Sequence, residues 1–238
     1  FTTGISSHRF YSNENEKSET AYETSQGIFV DSYNSAVQII PNQKVEVYHK
    51  GKLVPGVEIF PYINVLKPIL GDAMINLGGT TASLAGDPER KVFSNPFNKG
   101  KLAPIDCYES IYGEFVTEYV KKGANFLGIM TNDSWWGETQ GHKQLMSYAK
   151  LRAIETRREI ARSANSGISA HIDAKGDVVA DTFYGDQTTL FAKVNLYDQI
   201  TFYTKAGDLL SRFSIFVFGF LVFYTLIKKF QNRKKTAK

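Results

Sequence analysis

The chain has 238 residues, of which 42% are hydrophobic, 22% charged and 13% aromatic, so a sizeable core is expected and wholesale disorder is excluded. Its one cysteine, Cys107, excludes an internal disulfide framework and a zinc site of four thiolates. The net charge of +4 arises from residues 228–238, which hold six of the 28 basic residues and no acidic one. The remaining residues are slightly acidic, with 22 basic against 24 acidic, so no nucleic-acid partner is expected.

The first part of the chain predicts short strands. Phe1–Ser6 has the pattern of a strand cut short. Gly27–Tyr33 and Ser35–Ile40 predict two strands that meet at Asn34, and Val45–His49 predicts a further short strand.

The middle of the chain alternates strands with helices. Leu102–Cys107 predicts a strand, and Glu109–Lys122 predicts a helix with one apolar face and Gly123 as its C-cap. Asn125–Thr131 is an apolar run typical of a strand that is buried on both faces. A long helix is predicted from about His142 to Ala164.

The following segments complete the predicted domain. Ile168–Ile172 and Val178–Ala180 flank a turn and predict a hairpin, and Phe191–Val194 predicts the last strand. Strands that alternate with two helices, together with hairpins, predict an α/β layered domain. The glycine-rich stretch 77–87 lacks the Lys-Ser/Thr pair of a phosphate-binding loop and predicts an ordinary loop.

A long apolar segment precedes the basic end of the chain. Phe213–Ile227 contains no charge, and the 19 positions of Leu209–Ile227 span roughly 28 Å as a helix, close to the thickness of a bilayer core. We therefore predict a transmembrane helix at 206–228 and a basic tail at 229–238. The positive-inside rule places this tail in the cytoplasm and the domain 1–205 across the membrane. The alternative is a buried helix of a soluble core.

The first residues, FTTGISSHRFY, contain no Met, no basic segment and no apolar segment of the kind that directs export. A domain on the outer side of a membrane needs an export signal or preceding membrane spans. We therefore expect the sequence to be a piece of a longer protein.

Cys107 is the candidate nucleophile. It lies where a predicted strand ends and a predicted helix begins, and the positive end of a helix favours the thiolate. Polar Asp106, Tyr108 and Glu109 surround it, whereas a cysteine in a core strand is usually found among aliphatic residues. The alternative is an inert buried cysteine.

A nucleophilic cysteine requires a base, and the sequence leaves two kinds open. The histidines stand in no recognisable Cys–His signature, so a papain-like pair is unsupported. They are His8, His49, His142 and His171. The other base is a carboxylate, with a lysine that stabilises the anion formed during attack on a carbonyl. Lys50 and Glu58 are the candidates, although Lys and Glu on a loop are also typical of solvated surface.

Three motifs carry a resemblance to a known family. In this order and spacing, YHKGKLVPGVE, IDCYESIYG and TNDSWWG resemble the C-terminal part of the nitrilase superfamily, and within it the bacterial apolipoprotein N-acyltransferases. The stretch SYAKLRAIETRREIARSANSGIS, the turn AKGD, the segment TFYTKAGD and the terminal apolar helix narrow the resemblance to these acyltransferases. The resemblance covers essentially the whole chain.

The resemblance implies a four-layer αββα sandwich on the periplasmic side of the bacterial inner membrane, here truncated at its N-terminal side and followed by one transmembrane helix. It also implies a Glu-Lys-Cys triad with a second glutamate. By motif position, Cys107 resembles the nucleophile, Lys50 the triad lysine and Glu58 the second glutamate. Tyr108 and Glu109 match the supporting pair that follows the nucleophile.

The general-base glutamate is the one departure from the family pattern. In the family it precedes the strand that resembles Phe1–Ser6, and it is not in this sequence. We therefore expect these 238 residues alone to be inactive.

The reaction that the resemblance implies is a two-step acyl transfer. Cys107 takes a fatty acyl chain from a phospholipid, typically the sn-1 chain of phosphatidylethanolamine, and forms a thioester. The amine of the N-terminal diacylglyceryl-cysteine of an apolipoprotein then accepts the chain. No cofactor and no metal are expected. Trp135 and Trp136 are expected to line the acyl-chain entrance or touch the headgroup region, unless they only pack their loop.

Two alternatives stay open. One is a nitrilase-type amidase tethered to the membrane, in which water replaces the lipoprotein amine. The other is a catalytically silent domain that binds lipoprotein or supports a membrane complex.

Overall fold

The computed structural model describes residues 1–59 and 84–236, with side chains as far as Lys229. An antiparallel sheet forms the first layer. Its strands are β1 (Thr2–Tyr11), β2 (Tyr22–Glu23), β3 (Phe29–Gln38) and β4 (Glu46–His49). β3 is central: β1 pairs with it along one side, and β2 and β4 pair with it along the other.

The prediction of two strands meeting at Asn34 is wrong, because β3 runs through this residue without interruption. Asparagine is depleted in strands, which is why the sequence indicated a break. The Asn34 side chain has a tertiary partner, since its Nδ2 donates a 2.6 Å hydrogen bond to Glu58 Oε1. The strand predicted at Phe1–Ser6 is present and extends to Tyr11.

A mixed sheet forms the second layer. Its strands are β5 (Phe93–Ser94), β6 (Lys101–Asp106), β7 (Phe126–Thr131), β8 (Ile160–Ala164), β9 (Ala170–Ile172) and β10 (Val178–Asp181). They lie in the order β10-β9-β8-β7-β6-β5, and β6, β7 and β8 are parallel. Central parallel strands are typically covered on both faces, and Ile105, Leu127 and Ile129 are at most 1% exposed. The carboxyl ends of these three strands therefore share one edge.

Two helices follow the parallel strands and pack against the second sheet. α1 (Gly113–Lys121) buries Phe115 and Tyr119, as its periodicity predicts, and Gly123 lies beyond its end at φ +94°. The helix begins later than predicted, because Cys107–Ile111 forms a separate 3₁₀ helix. The described residues thus contain two packed sheets and the helical layer on one side.

The long helix predicted to reach Ala164 is wrong beyond Thr156. α2 (Gln140–Thr156) ends before Arg157, which has left-handed dihedrals (φ 52°, ψ 46°), and the chain then enters β8. The neighbouring Arg158 is buried and donates hydrogen bonds to backbone carbonyls. The acceptors are Ala124 O, Thr156 O, Arg157 O and Gln199 O. These long-range contacts override a local pattern that continues to favour helix.

The hairpin prediction is confirmed by β9 and β10, whereas the strand predicted at Phe191–Val194 is absent: residues 186–201 have no regular secondary structure. This segment is attached to the core through Glu159, which is 3% exposed and accepts hydrogen bonds from Asn195 N at 2.9 Å and Asn195 Nδ2 at 2.8 Å. Phe191 itself is 90% exposed.

The chain ends in two helices, α3 (Phe202–Ala206) and α4 (Leu209–Thr236). Leu209–Lys229 is long and apolar enough to cross a membrane, with a mean hydropathy of 1.9 and no buried residues. Its 21 residues span roughly 32 Å. Arg212 at its start forms a 2.6 Å ion pair with Glu114 of α1.

Two predictions fall partly or wholly outside the described residues. The glycine-rich loop at 77–87 is described only from Leu84 onward. Within the basic segment 229–238, the helix backbone is described to Thr236 and the side chains only at Lys229.

Candidate active site

Lys50 and Cys107 meet at the edge formed by the carboxyl ends of the parallel strands. Lys50 follows β4, and its backbone N–H donates to Asn34 O at 2.8 Å. Its side chain is 1% exposed, and Nζ lies 2.8 Å from Glu58 Oε1 and 3.5 Å from Asp106 Oδ1. Since Asp106 directly precedes Cys107, the buried ammonium lies beside the thiol.

Glu58 is held in place by donors other than the lysine. Val54 N–H donates to Oε2 at 2.7 Å, and Asn34 Nδ2 and Lys50 Nζ donate to Oε1. The loop after β4 thus folds back through the turn at Pro55 and Gly56 so that Glu58 contacts Lys50. The structure therefore brings together Lys50, Glu58 and Cys107, all three predicted from the motifs.

Cys107 has a strained backbone. Its φ is +45°, a left-handed value that is uncommon for a residue with a Cβ atom. It begins the 3₁₀ helix Cys107–Ile111, where the Ser110 hydroxyl donates to Cys107 O at 2.7 Å. Left-handed residues at a strand-to-helix turn are a recurrent feature of functional sites, because the sharp turn projects the side chain.

Thr131 is a neighbour of the thiol that the sequence analysis did not identify. β6 and β7 are in parallel register at Asp106 and Met130, so Cys107 and Thr131 follow side by side. Thr131 is thus placed next to Cys107, and its hydroxyl donates to Asp133 Oδ1 at 2.6 Å. The parallel register of β6 and β7 could have identified Thr131, because it places the residue after Met130 beside the residue after Asp106.

The surroundings of the thiol favour its protonated form. Burial raises the pKa of Cys107 above its ordinary value, and the charges of Asp106 and Asp133 add to this effect. The Lys50 ammonium and the Thr131 hydroxyl oppose it without reversing it. The prediction that the following helix would favour the thiolate is therefore not met, because only a five-residue 3₁₀ helix follows and burial dominates.

The lysine carries a charge. Burial lowers the pKa of Lys50, but the carboxylates of Asp106 and Glu58 outweigh this influence and raise its pKa above the ordinary value. Burial also raises the pKa of Asp106, against the opposing effect of Lys50. A permanently charged ammonium beside the nucleophile suits the stabilisation of an oxyanion.

Glu109 lies behind the site and connects the loop that carries Lys50 with the turn that carries Cys107. The side chain is fully buried, and Oε1 accepts hydrogen bonds from Tyr48 OH at 2.5 Å, Gly51 N at 2.7 Å and Lys52 N at 3.3 Å. Oε2 accepts one from Asp106 N at 2.8 Å. Burial raises the pKa of Glu109 to about 7, although these donors oppose the shift. Glu109 therefore ties the lysine loop to the nucleophile turn.

Tyr108, Trp135 and Trp136 occupy the surroundings of the site. Tyr108 is half-buried and packs edge-on against Tyr112, with 5.5 Å between ring centroids. The tryptophans belong to the 3₁₀ helix Asp133–Trp136, which follows β7 at the same sheet edge as Cys107. Trp135 is 74% exposed and Trp136 is 42% exposed.

A buried ion pair supports this edge. Asp133 Oδ2 lies 2.8 Å from Arg162 Nη2, and neither side chain is more than 1% exposed. A Cβ atom on Gly167 would lie 2.0 Å from Asp133 Oδ2, so only glycine fits there. Sequence reasoning missed Asp133 and Arg162, as it missed the roles of Asn34 and Asp106. For Asp106 and Asp133, the available signal was a polar residue at or just beyond the end of a buried strand. Asn34 and Arg162 lie inside β3 and β8 and had no such signal.

Within residues 1–59 and 84–236, no group of three or more His, Cys, Asp or Glu side chains is arranged to hold a metal ion.

Comparison with known proteins gives consistent matches. The chain matches the family model for carbon–nitrogen hydrolases over residues 12–201. It is 35% identical over 202 residues to apolipoprotein N-acyltransferase from Chlorobaculum tepidum, covering 83% of this chain and 38% of the relative. It is 40% identical over 132 residues to apolipoprotein N-acyltransferase 2 from Leptospira interrogans, covering 54% of this chain and 22% of the relative. The chain thus spans less than two fifths of these relatives.

Among solved structures, a carbon–nitrogen hydrolase from Helicobacter pylori is similar with a TM-score of 0.48 and 16% identity, covering 68% of this chain and 56% of that chain. The family match and the relatives confirm the resemblance predicted from the motifs and the α/β nitrilase-like fold.

Proposed function

Because this chain belongs to the carbon–nitrogen hydrolase family, we propose that it carries the acyl-transfer site of an apolipoprotein N-acyltransferase. The observation that carries the proposal is the buried Lys50 ammonium beside Cys107, held by Glu58 and Asp106. Such a pair suits attack on a carbonyl, because the sulfur forms the bond and the ammonium stabilises the oxyanion. The names of the relatives support lipoprotein as the acceptor.

In the first step, the Cys107 sulfur attacks the ester carbonyl of a phospholipid, with the sn-1 chain of phosphatidylethanolamine as the expected donor. The thiol gives up its proton, the carbon–oxygen bond breaks, and the lysophospholipid oxygen takes a proton as it leaves. An acyl thioester on Cys107 results. The raised pKa of Cys107 means that a base must remove the thiol proton at neutral pH. By resemblance, this base is a glutamate.

In the second step, the α-amine of a diacylglyceryl-cysteine attacks the thioester carbonyl. The carbon–sulfur bond breaks, the amine loses a proton, and an amide forms while the thiol is restored. Lys50 faces both tetrahedral intermediates, because both form at the same sulfur. Tyr108 and Glu109 support the nucleophile turn, and Trp135 and Trp136 line the acyl-chain entrance.

We place the domain, residues 1–205, on the periplasmic side of the bacterial inner membrane. The span predicted at 206–228, whose helix begins at Leu209 in the structure, crosses it, and the basic tail at 229–238 is cytoplasmic. The exposed apolar surface of α4 supports this arrangement, because a bare apolar helix of this length is stable in lipid rather than in water. Both substrates are lipids and reach the site along the bilayer.

The experiment uses the full natural protein in phospholipid vesicles with a synthetic diacylglyceryl peptide. Mass spectrometry is expected to find the acylated peptide and, before peptide is added, a hydroxylamine-labile acyl group on the protein. Cys107→Ala should abolish that label, and its persistence in the variant would remove Cys107 from the mechanism. Free fatty acid without acylated peptide would favour the tethered amidase, and no product at all would favour the silent domain.

A further inference from the structure

A second polar site lies at the base of the apolar helix. A cavity of about 700 Å³ is lined by the loop after β4, the segment before β5, the first turns of α1 and the start of α4. Lys52 and Arg90 line its domain side, and Ser211, Arg212 and Ile215 line its helix side. The cavity thus connects the folded domain with the predicted membrane span.

Two cations in this cavity have no anionic partner in the part of the chain that the structure describes. Neither Lys52 nor Arg90 forms a salt bridge there. Arg90 Cζ lies 3.8 Å from the centroid of the Phe115 ring, and its buried Nε has no hydrogen-bond partner. Lys52 Nζ lies 5.9 Å from the same centroid and 5.4 Å from that of Tyr112.

The carboxylates in the wall are already engaged. Glu114 Oε1 lies 2.6 Å from Arg212 Nη2, and Glu118 Oε1 lies 2.7 Å from Lys121 Nζ. Asp208 accepts hydrogen bonds from the backbone N–H and the hydroxyl of Ser211. An incoming anion would therefore meet the Lys52 ammonium and the Arg90 guanidinium, whose Nη1 also donates to Pro88 O. Glu114 and Glu118 are neutralised by their own cations, whereas Asp208 has only the neutral donors of Ser211.

The chemistry of these donors selects the ligand. A planar guanidinium and a lysine ammonium together are a recurrent combination for phosphate oxygens, and an arginine that lies over an aromatic ring presents its N–H edge to an anion. The position of the cavity indicates which molecule carries the phosphate. Residues 211–215 form the first turns of a helix long enough to span a bilayer, so the cavity lies at the level of the lipid headgroups.

We propose that the cavity between α1 and α4 binds the phosphate group of a membrane phospholipid, with Lys52 and Arg90 as its ligands. The bound lipid is distinct from the acyl donor at Cys107: it holds the domain at a fixed height and angle above the bilayer. A free phosphate ion presents the same oxygens as the lipid headgroup and could occupy the same cavity.

The test uses the full natural protein with Cys107→Ala, so that acyl transfer cannot consume lipid and the result does not depend on the proposed reaction. Detergent micelles contain either phosphatidylglycerol or a diacylglycerol glycoside without phosphate, and native mass spectrometry counts the lipids retained. We expect one tightly held phosphatidylglycerol and no comparable retention of the glycoside. Lys52→Gln/Arg90→Gln should weaken retention at least about tenfold, because each charge-assisted hydrogen bond contributes substantially.

Matched variants separate this effect from unfolding and from bulk charge. Lys52→Arg keeps the charge and the stacked arginine and should bind nearly as the parent. Lys143→Gln/Lys175→Gln, which removes two exposed charges elsewhere, should not change retention. If Arg90→Gln fails to fold, the exposed Lys52→Gln alone still predicts a severalfold loss. Displacement of the lipid by millimolar inorganic phosphate would support recognition through the phosphate group. Binding of inorganic phosphate without any retention of phosphatidylglycerol would overturn the lipid as the ligand. Equal retention by the Gln variant and the parent, or equal retention of the glycoside, would overturn the proposal.

Discussion

Tyr48 and Glu109 are 61 positions apart in the sequence, and the hydroxyl of Tyr48 donates a 2.5 Å hydrogen bond to the Glu109 carboxylate inside the core. The same oxygen accepts the N–H groups of Gly51 and Lys52, so the lysine loop is attached to the segment that carries the nucleophile. The position of Lys50 relative to Cys107 therefore depends on a carboxylate that faces neither substrate nor solvent.

Replacing Glu109 by Gln should test this attachment. An amide can accept from only one side, so its NH₂ group would face an N–H donor at Gly51 or at Asp106. We expect a loss of about 1–3 kcal/mol in the free energy of unfolding, because a buried donor is left unsatisfied. Thermal denaturation of the full protein measures the loss. We also expect slower alkylation of Cys107 by iodoacetamide, since Lys50 is no longer fixed beside the thiol.

Glu118→Gln is the matched control for Glu109→Gln. Glu118 lies on the exposed side of α1 and forms only an i, i+3 pair with Lys121, which contributes about 0.5 kcal/mol or less. Its substitution should leave both the melting temperature and the alkylation rate nearly unchanged. A Glu109→Gln protein as stable and as reactive as the control would contradict the connecting role of Glu109.

The pH dependence of Cys107 reactivity forms a second prediction. Because burial raises the pKa of Cys107, alkylation should increase with pH to a midpoint above that of an ordinary thiol. The Lys50 charge lowers this pKa, so Lys50→Gln should move the midpoint further upward and slow alkylation about tenfold at neutral pH. Lys50→Arg retains the charge and should restore most of the reactivity. A midpoint that is the same with and without the Lys50 charge would show that the ammonium and the sulfur are not coupled.

The exposed tryptophans permit a third prediction that separates substrate entry from stability. Trp135→Ser should raise the KM for vesicle phospholipid severalfold while leaving the melting temperature within about 1 °C, because this side chain is 74% exposed and contributes little to the core. Phe97→Ser is the control. Phe97 is 79% exposed and precedes β6, so it lies at the end of that strand opposite Cys107. If both substitutions raise KM equally, the effect arises from general surface hydrophobicity and not from an entrance at the site.

The features that could be predicted from the sequence are those that depend on neighbouring residues or on a recognised motif. Lys50, Glu58 and Cys107 could be grouped because their motifs resemble a known family. The apolar helix could be found because the uncharged run Phe213–Ile227 is a local property. The end of α2 at Arg157 could not be found, since it depends on Arg158 reaching carbonyls as distant as Gln199 O. The continuous β3 was hidden for the same reason, because Asn34 has its partner at Glu58.

The protonation state of the thiol illustrates a second limit. The sequence predicted Cys107 as the last residue of a strand, and the structure ends that strand one residue earlier, at Asp106. From this position the positive end of a helix was expected to favour the thiolate. Burial of the sulfur depends on groups such as Lys50, Thr131 and Asp133, which come from two segments that are distant in sequence from Cys107. Desolvation depends on tertiary packing, so no local sequence pattern could predict whether the pKa of Cys107 is raised or lowered.

The backbone of Cys107 yields the last prediction. At φ +45°, any residue with a Cβ atom pays a steric penalty of about 1 kcal/mol that glycine avoids. Cys107→Gly should therefore be about 1 kcal/mol more stable to unfolding than Cys107→Ala, although both lack the sulfur. The same pair at Lys121, in regular helix, should show the reverse order, because alanine is the better helix former. Denaturant unfolding of the four variants measures both differences. If the alanine variant is the more stable one at both positions, the left-handed backbone at position 107 carries no steric penalty. The turn that projects the nucleophile would then not be strained.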